Sequence, residues 1–267
     1  MIEIVKLVYK WKKHILLFCL FAVIVSIILT MPSIMPPYYK SKMIFYLSNP
    51  VSTDRAALFN EKEAGGVYPF GGKEEINRML TILTSEPAIT HIIDKYNLSK
   101  HYDIEKDESG LYRYYTALEF NSNFDAIRND NGALEVTFMD RDKKLAAAVV
   151  KDIVQYADSV YRNMLLVNKT NVLTLLDEQI AQKKANGSDA EDLNKFITIR
   201  DQYTVASSNT FKTMYVVENP TPAIKKCKPI RWLIVLSTLI GSFILACFTA
   251  LIIELYKNAD RFGFQRD

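Results

Sequence analysis

Two uncharged apolar runs, one near each end of the chain, constrain this sequence more than any other feature. They are "ILLFCLFAVIVSIILTM" from Ile15 to Met31 and "WLIVLSTLIGSFILACFTALII" from Trp232 to Ile253. A bilayer's hydrocarbon core of about 30 Å takes roughly 20 helical residues at about 1.5 Å each, so both runs are long enough to span it. The first run, preceded by Lys10, Lys12, Lys13 and His14, also has the outline of a secretory signal. Its apolar stretch exceeds the roughly 7 to 15 residues of such signals, and "PSIMPP" follows it in place of a small-x-small cleavage site, which predicts an uncleaved anchor.

Two crossings put everything between them on one side of the membrane. The expected division is a cytoplasmic N-terminus at 1–14, transmembrane helices at 15–31 and 232–253, an extracytoplasmic domain at 32–231 and a cytoplasmic tail at 254–267. Lysines concentrate before the first span, which favours a cytoplasmic N-terminus. Lys225, Lys226, Lys228 and Arg231 at the entrance of the second span pull the other way, but long loops cross largely regardless of charge. The net charge of +3 gives no argument for nucleic acid. Of the three cysteines, Cys19 and Cys247 fall inside the spans and Cys227 stands beside the membrane, so packing rather than a disulfide framework must hold the outer domain.

Within that domain, "YYKSKMIFYLS" (Tyr38 to Ser48) reads as a strand directly after the first span. The glycine-rich stretch ending "GVYPFGG" reads as a long loop. Its "GGKEE" lacks the Ser or Thr after Lys73 and the earlier glycine of a phosphate-binding loop. From Lys73 the pattern turns helical through Ile76, Leu80 and Leu83. A second helix is expected after "SEP", with Ser85 or Glu86 as cap, Pro87 in the first turn and Ile89, Ile92, Ile93 and Tyr96 on one face. A shorter helix is expected from Leu111 to Leu118. Two strands then flank Asn131-Gly132, a dipeptide suited to a tight hairpin turn.

The longest feature begins at Asp142, an N-cap, and runs without proline or glycine to Gly187. A helix over Lys143 to Ala185 would be a rod of roughly 65 Å. One stripe holds Val149, Ile153, Ala157, Val160, Met164, Val172, Leu176 and Ile180, and a second face holds Leu166, Leu173 and Leu175. A rod apolar on two faces needs two partners. One is the returning helix, about Asp189 to Ser208. The other is a neighbouring copy or further intrachain packing. "FKTMYVVE" then reads as a strand that returns beside the first. The expected fold class is α+β: two terminal transmembrane helices flanking an extracytoplasmic α/β base with a long protruding helical hairpin.

Pro220, Pro222 and Pro229 fix φ and withhold backbone donors, so they suit a stiff connector between base and second span, with a plain linker as the alternative. Small residues recur at four-residue spacing in the spans: Ala22, Ser26 and Thr30 in the first, Ser237 with Gly241, then Ser242, Ala246 and Ala250 in the second. Such ladders let helices approach closely, although they also arise by chance. His14, His91 and His101 are scattered, no Cys/His spacing suggests zinc, no Gly-x-Ser-x-Gly elbow occurs, and neither span holds an ionisable residue. No catalytic residue, cofactor or metal is expected.

In order, "PPYYKSKMIFYLS", "MLTILTSEPAITHIIDKYNL", "LEVTFMDRDKKLAAAVVKDIVQYADSVY" and "VVENPTPAIKKCKP" between two terminal spans resemble the bacterial polysaccharide co-polymerases, or chain length determinants of the Wzz type. The resemblance covers nearly the whole chain. It implies a non-enzymatic protein of the bacterial inner membrane that forms ring-like homo-oligomers and sets the length of O-antigen, capsule or exopolysaccharide made by a separate membrane polymerase, with the growing polysaccharide as a further partner. Some relatives add a cytoplasmic tyrosine kinase. The short tail after Ile253 carries neither a phosphate-binding loop nor a tyrosine cluster, so that domain is not expected here. Two rival readings stay open: an adaptor that activates a separate tyrosine kinase through "LYKNADRFGFQRD", and an extracytoplasmic ligand sensor.

Overall fold

A computed structural model describes residues 2–59, 68–106, 110–187, 189–208 and 211–261, with side-chain surroundings given from residue 9 to residue 256 within those ranges. Gly65, Gly66 and the end of the tail lie outside them. The chain forms two compact units, Met1–Tyr38 with Lys225–Asp267, and Tyr39–Ile224.

The larger unit is built on an antiparallel four-stranded sheet. Strand β1 (Tyr39–Leu47) is followed by a 3-10 turn (Pro50–Thr53) and a short helix α2 (Arg55–Phe59), the first helix, α1 (Ile2–Leu29), belonging to the other unit. Helices α3 (Lys73–Leu83), α4 (Glu86–Tyr96), α5 (Leu98–His101) and α6 (Leu111–Asn123) come next. After β2 (Phe124–Arg128) and β3 (Leu134–Asp140), helix α7 runs 43 residues from Lys143 to Ala185. It returns through α8 (Ala190–Ala206) to β4 (Met214–Glu218). Sheet order is β2-β3-β1-β4, so the first and last strands lie side by side, as the sequence predicts.

Alternation makes the core. In β1, Ser41, Met43, Phe45 and Leu47 are buried, the period-2 pattern of a strand with one covered face. They meet Val136 and Phe138 of β3 and the N-terminal half of α7, whose Val149, Ile153, Ala157 and Tyr161 are fully buried. Ile76, Met79 and Leu83 of α3 and Ile89, Ile92 and Ile93 of α4 close the same cluster. Burying each large aliphatic or aromatic side chain contributes about 1.5–3 kcal/mol.

Caps follow the sequence. Asp142 accepts from the Lys144 N–H at 2.8 Å, and Ser85 from the Ala88 N–H at 3.4 Å. Gly72 precedes α3 and its N–H donates to the Glu75 carboxylate at 2.8 Å. "GGKEE" is therefore a helix entry. The stretch expected as loop holds the 3-10 turn and α2, and α6 extends five residues past Leu118, to Asn123. The turn between β2 and β3 is wider than a two-residue hairpin. It closes through the Asn129 N–H to Ala133 O (2.8 Å), with the Asn129 side chain accepting from the N–H groups of Asn131 and Ala133. Only Gly132, at φ 81°, adopts the left-handed region there. Gly71 is needed for close approach, since a Cβ on it would sit 3.0 Å from Glu75 Cβ and 3.2 Å from Leu47 Cβ.

Two carboxylates pin the helices to the base. Asp140 is buried at the end of β3, with Oδ1 2.8 Å from His101 Nε2 and 2.7 Å from the Asp142 N–H. Asp152 on α7 receives Lys95 Nζ at 2.6 Å and the Tyr96 hydroxyl. Burial alone would raise the Asp152 carboxyl, but the Lys95 and Tyr96 hydrogen bonds outweigh it and hold it below the ordinary carboxylate value. Burial, then the Asp152 hydrogen bond, pushes the Tyr96 phenol well above its ordinary value. A depressed acid contributes stability that is present above its unfolded value near 4 and lost as pH falls through the folded value. A raised phenol contributes stability that is present below about 10 and lost as pH climbs beyond it. Urea unfolding of the full chain in detergent should show both limbs. Asp152→Asn should flatten the acid limb and cost about 1 kcal/mol near neutrality, because Lys95 is half exposed. An unchanged acid limb would refute the assignment.

The smaller unit pairs α1 (Ile2–Leu29) with α9 (Arg231–Arg261). Both are long and apolar enough to cross a membrane, at Tyr9–Leu29 and Arg231–Tyr256, and only 17% of each hydropathic window is buried, unlike a soluble core helix. They run antiparallel: Lys10 Nζ lies 2.7 Å from Glu254, Ile15 and Cys19 pack with Ala246, and Thr238 Oγ1 lies 3.3 Å from Ser26 Oγ. Tyr38 N–H donates to Lys228 O (3.0 Å) and Cys227 N–H to Tyr38 O (2.8 Å), joining the segments just beyond the two helices.

Candidate functional site

The distal part of α7 and its return α8 form an arm whose root is tied by charge. Arg162 donates to Phe211 O at 2.9 Å and to Thr213 Oγ1 at 3.1 Å, while the Thr213 hydroxyl donates to Asp158. Lys169 reaches Asp54 at 2.8 Å and the carbonyls of Thr53 and Ala206 at 3.3 Å. Arg55 donates to Gln202 at 2.9 Å. These ties border an open cavity of about 550 Å³ lined by four basic residues, of which Arg55, Arg162 and Lys169 already have protein partners and Lys212 is exposed. Further out, Arg200–Asp177 (3.0 Å) and Lys183–Asp192 (3.4 Å) bridge the two helices.

Apolar residues on the arm divide into covered and uncovered sets. Leu166, expected at an oligomer contact, lines the cavity at the root of the arm, and both it and Leu173 are half-buried. Leu175 is 60% exposed, and Met164, expected on the buried stripe, is 54% exposed. Its place inside is taken by Tyr161, whose phenol is pushed up to about 12, mainly by burial. The stripe drifts because α7 packs on the sheet as far as Tyr161 and on α8 beyond it. Val167 on α7 and Val205 on α8 are also uncovered, and the sequence reading missed them. Met164, Val167 and Leu175 fall within one sector at about 100° per residue, with the exposed Asn171 between Val167 and Leu175 on the same outward face.

The proline segment after β4 is irregular, with a bend at Ile224 and Lys225, Pro222 exposed and Pro220 and Pro229 half-buried. Ser41 Oγ donates to Thr221 O at 3.1 Å on the base side. The Lys228–Pro229 bond is cis. Among the small residues of the spans, Ser26, Thr30, Ser242, Ala246 and Ala250 are buried and Ala22 half-buried. Ser237 and Gly241 are exposed and do not meet α1: the Ser237 hydroxyl returns to Ile234 O at 2.9 Å, and no atom lies within 4 Å of a Cβ on Gly241. The pairing therefore uses one rung set, with Thr238 added, a residue the four-residue ladder skipped.

The histidines stay apart: His14 beside Trp11, His91 stacked on Tyr156 and His101 on Asp140. Among the described residues, no group of three or more His, Cys, Asp or Glu comes together to hold a metal.

No protein-family model matches the chain, and no curated protein matches it at a significant level. Solved structures do. A full-length bacterial polysaccharide co-polymerase aligns over 100% of both chains at 12% identity and a TM-score of 0.46. A fragment of the polysaccharide co-polymerase WzzB from Salmonella Typhimurium covers 72% of this chain and 100% of its own at 13% identity and a TM-score of 0.41. A mutant of the Shigella flexneri lipopolysaccharide O-antigen chain-length regulator covers 71% of this chain and 99% of its own at 11% identity and a TM-score of 0.32.

Proposed function

We propose that this chain is a non-enzymatic regulator of surface polysaccharide chain length. It acts as a two-pass homo-oligomeric scaffold in the bacterial inner membrane, with both termini cytoplasmic, beside a separate membrane polymerase. The observation that carries the reading is topological. A base sheet places the first and last strands side by side, and the longest insertion between them is a slender helical arm with an uncovered apolar stripe. A stripe on one copy that meets a different surface on the next makes a heterologous contact, which closes into a ring when the rotation allows. The irregular segment containing Pro220, Pro222 and Pro229 then couples the ring to α9 and, through the membrane, to the polymerase.

Gel separation of surface polysaccharide from a deletion strain and its complemented control tests the reading. The expected result is loss of a clustered length distribution while synthesis continues. On the same gel, an allele with alanine at Pro220, Pro222 and Pro229 should broaden the distribution. A deletion strain with an unchanged distribution, given normal expression in the parent, overturns length control. A proline allele indistinguishable from wild type overturns the coupling role alone.

A further inference from the structure

At the end of the helix pair opposite Lys10 and Glu254, the last turn of α1, the turn after it and the start of α9 line an open groove of about 610 Å³. Its walls are Ile27, Met31, Val235, Leu236 and Leu239, and its rim is Arg231. The Nε of Arg231 is covered and has no hydrogen-bond partner, and among the described residues the guanidinium has no ion pair. Arg231 as a residue is only half-buried, so the rest of the guanidinium is left for water or for an anion from outside the chain.

The neighbouring sequence is one-signed. Lys225, Lys226 and Lys228 precede Arg231 and are exposed, and neither the stretch from Ile27 to Tyr38 nor that from Lys225 to Leu239 contains an acid. Trp232, next to Arg231 in the chain and also lining the groove, is 69% exposed, the residue type that settles at a membrane interface. A basic rim over an apolar groove between two spanning helices matches a ligand with an anionic head and hydrocarbon tails, and the surrounding bilayer supplies one.

We propose that this groove binds one anionic phospholipid, its phosphate on Arg231 and an acyl chain along Val235 and Leu239. The site rests on the two-pass reading but not on length control. Bound lipid would fill the groove and neutralise the charge at the entry of α9.

The two tryptophans make the test direct. In the full chain with Trp11→Phe, Trp232 is the remaining tryptophan. The protein is placed in phosphatidylcholine nanodiscs, and quenching by brominated phosphatidylglycerol is compared with quenching by brominated phosphatidylcholine. The expected result is about tenfold preference for phosphatidylglycerol, reduced to near parity by Arg231→Gln and largely kept by Arg231→Lys. Native mass spectrometry of the unsubstituted chain gives a second measure, with one phosphatidylglycerol retained. Equal quenching by both lipids, or a preference that survives Arg231→Gln, overturns the site. If unlabelled polyprenyl phosphate displaces the quencher at lower mole fraction than phosphatidylglycerol does, the phospholipid assignment is overturned in favour of an isoprenoid. A chain that fails to insert into the nanodisc refutes the two-pass reading and the site together.

Discussion

Phe138→Ala is expected to remove about 3–5 kcal/mol of the base domain's stability, against a total of about 5–15 kcal/mol for an ordinary domain. Phe138 is fully buried in the interior strand β3, opposite Ser41 of β1 and Phe124 of β2. Its ring lies 5.1 Å from Phe120, which lies 5.2 Å from Phe124, so one aromatic column ties α6 to both strands. Truncation opens a cavity that the hydrogen-bonded sheet cannot collapse to fill. Thermal unfolding of the full chain in detergent should fall by about 10 °C, given about 2–4 °C per kcal/mol for a domain of this size. Phe138→Leu should cost less than half as much. A loss below about 1 kcal/mol for the alanine variant would mean that the column does not hold the base.

Met164→Glu combined with Leu175→Glu should have the opposite signature. Both side chains are more than half exposed, so stability of the folded chain should change by no more than about 0.5 kcal/mol per site. Assembly should fail: each apolar side chain buried at a contact contributes about 1.5–3 kcal/mol, and a desolvated carboxylate in its place opposes association. The double variant should elute as a smaller species on sizing with light scattering and should lose the clustered polysaccharide length distribution. Leu166→Glu separates the two effects, because Leu166 is half-buried against the cavity at the root of the arm and its replacement should lower stability first. A double variant that assembles and regulates like wild type would show that the stripe is not the contact.

Long helix α7 was legible because its start and its continuity are local properties: Asp142 caps it, and no proline or glycine interrupts it before Gly187. The return strand β4 was legible from its β-favouring run, and its place beside β1 from the short path back to the second span. Which side of α7 would be covered was not. The stripe drawn through Met164 assumes one phase along the whole helix, whereas α7 changes partner near Tyr161, so Met164 emerges and Leu166 is half-buried at the root of the arm. The Asn131-Gly132 turn was placed correctly along the chain but drawn too tight, because the Asn129 side chain organises it. The span ladder had the same ambiguity: small residues recur on more than one face of α9, and only contact with α1 selects Ser242, Ala246 and Ala250 over Ser237 and Gly241.

The neighbouring positions of β1 and β4 have one more consequence. In their antiparallel register Ile44 faces Glu218 and Leu47 faces Met214, so the start of β1 and the end of β4 share one end of the sheet. The whole of Tyr39–Ile224 therefore enters and leaves at a single doorway, like a cassette clipped in at two adjacent pins. A cassette of that kind can be exchanged between chains, or its arm lengthened by matched whole turns in both helices, without moving the pins. Diversification of Tyr39–Ile224 would thereby be decoupled from the helix pair that is long and apolar enough to cross a membrane.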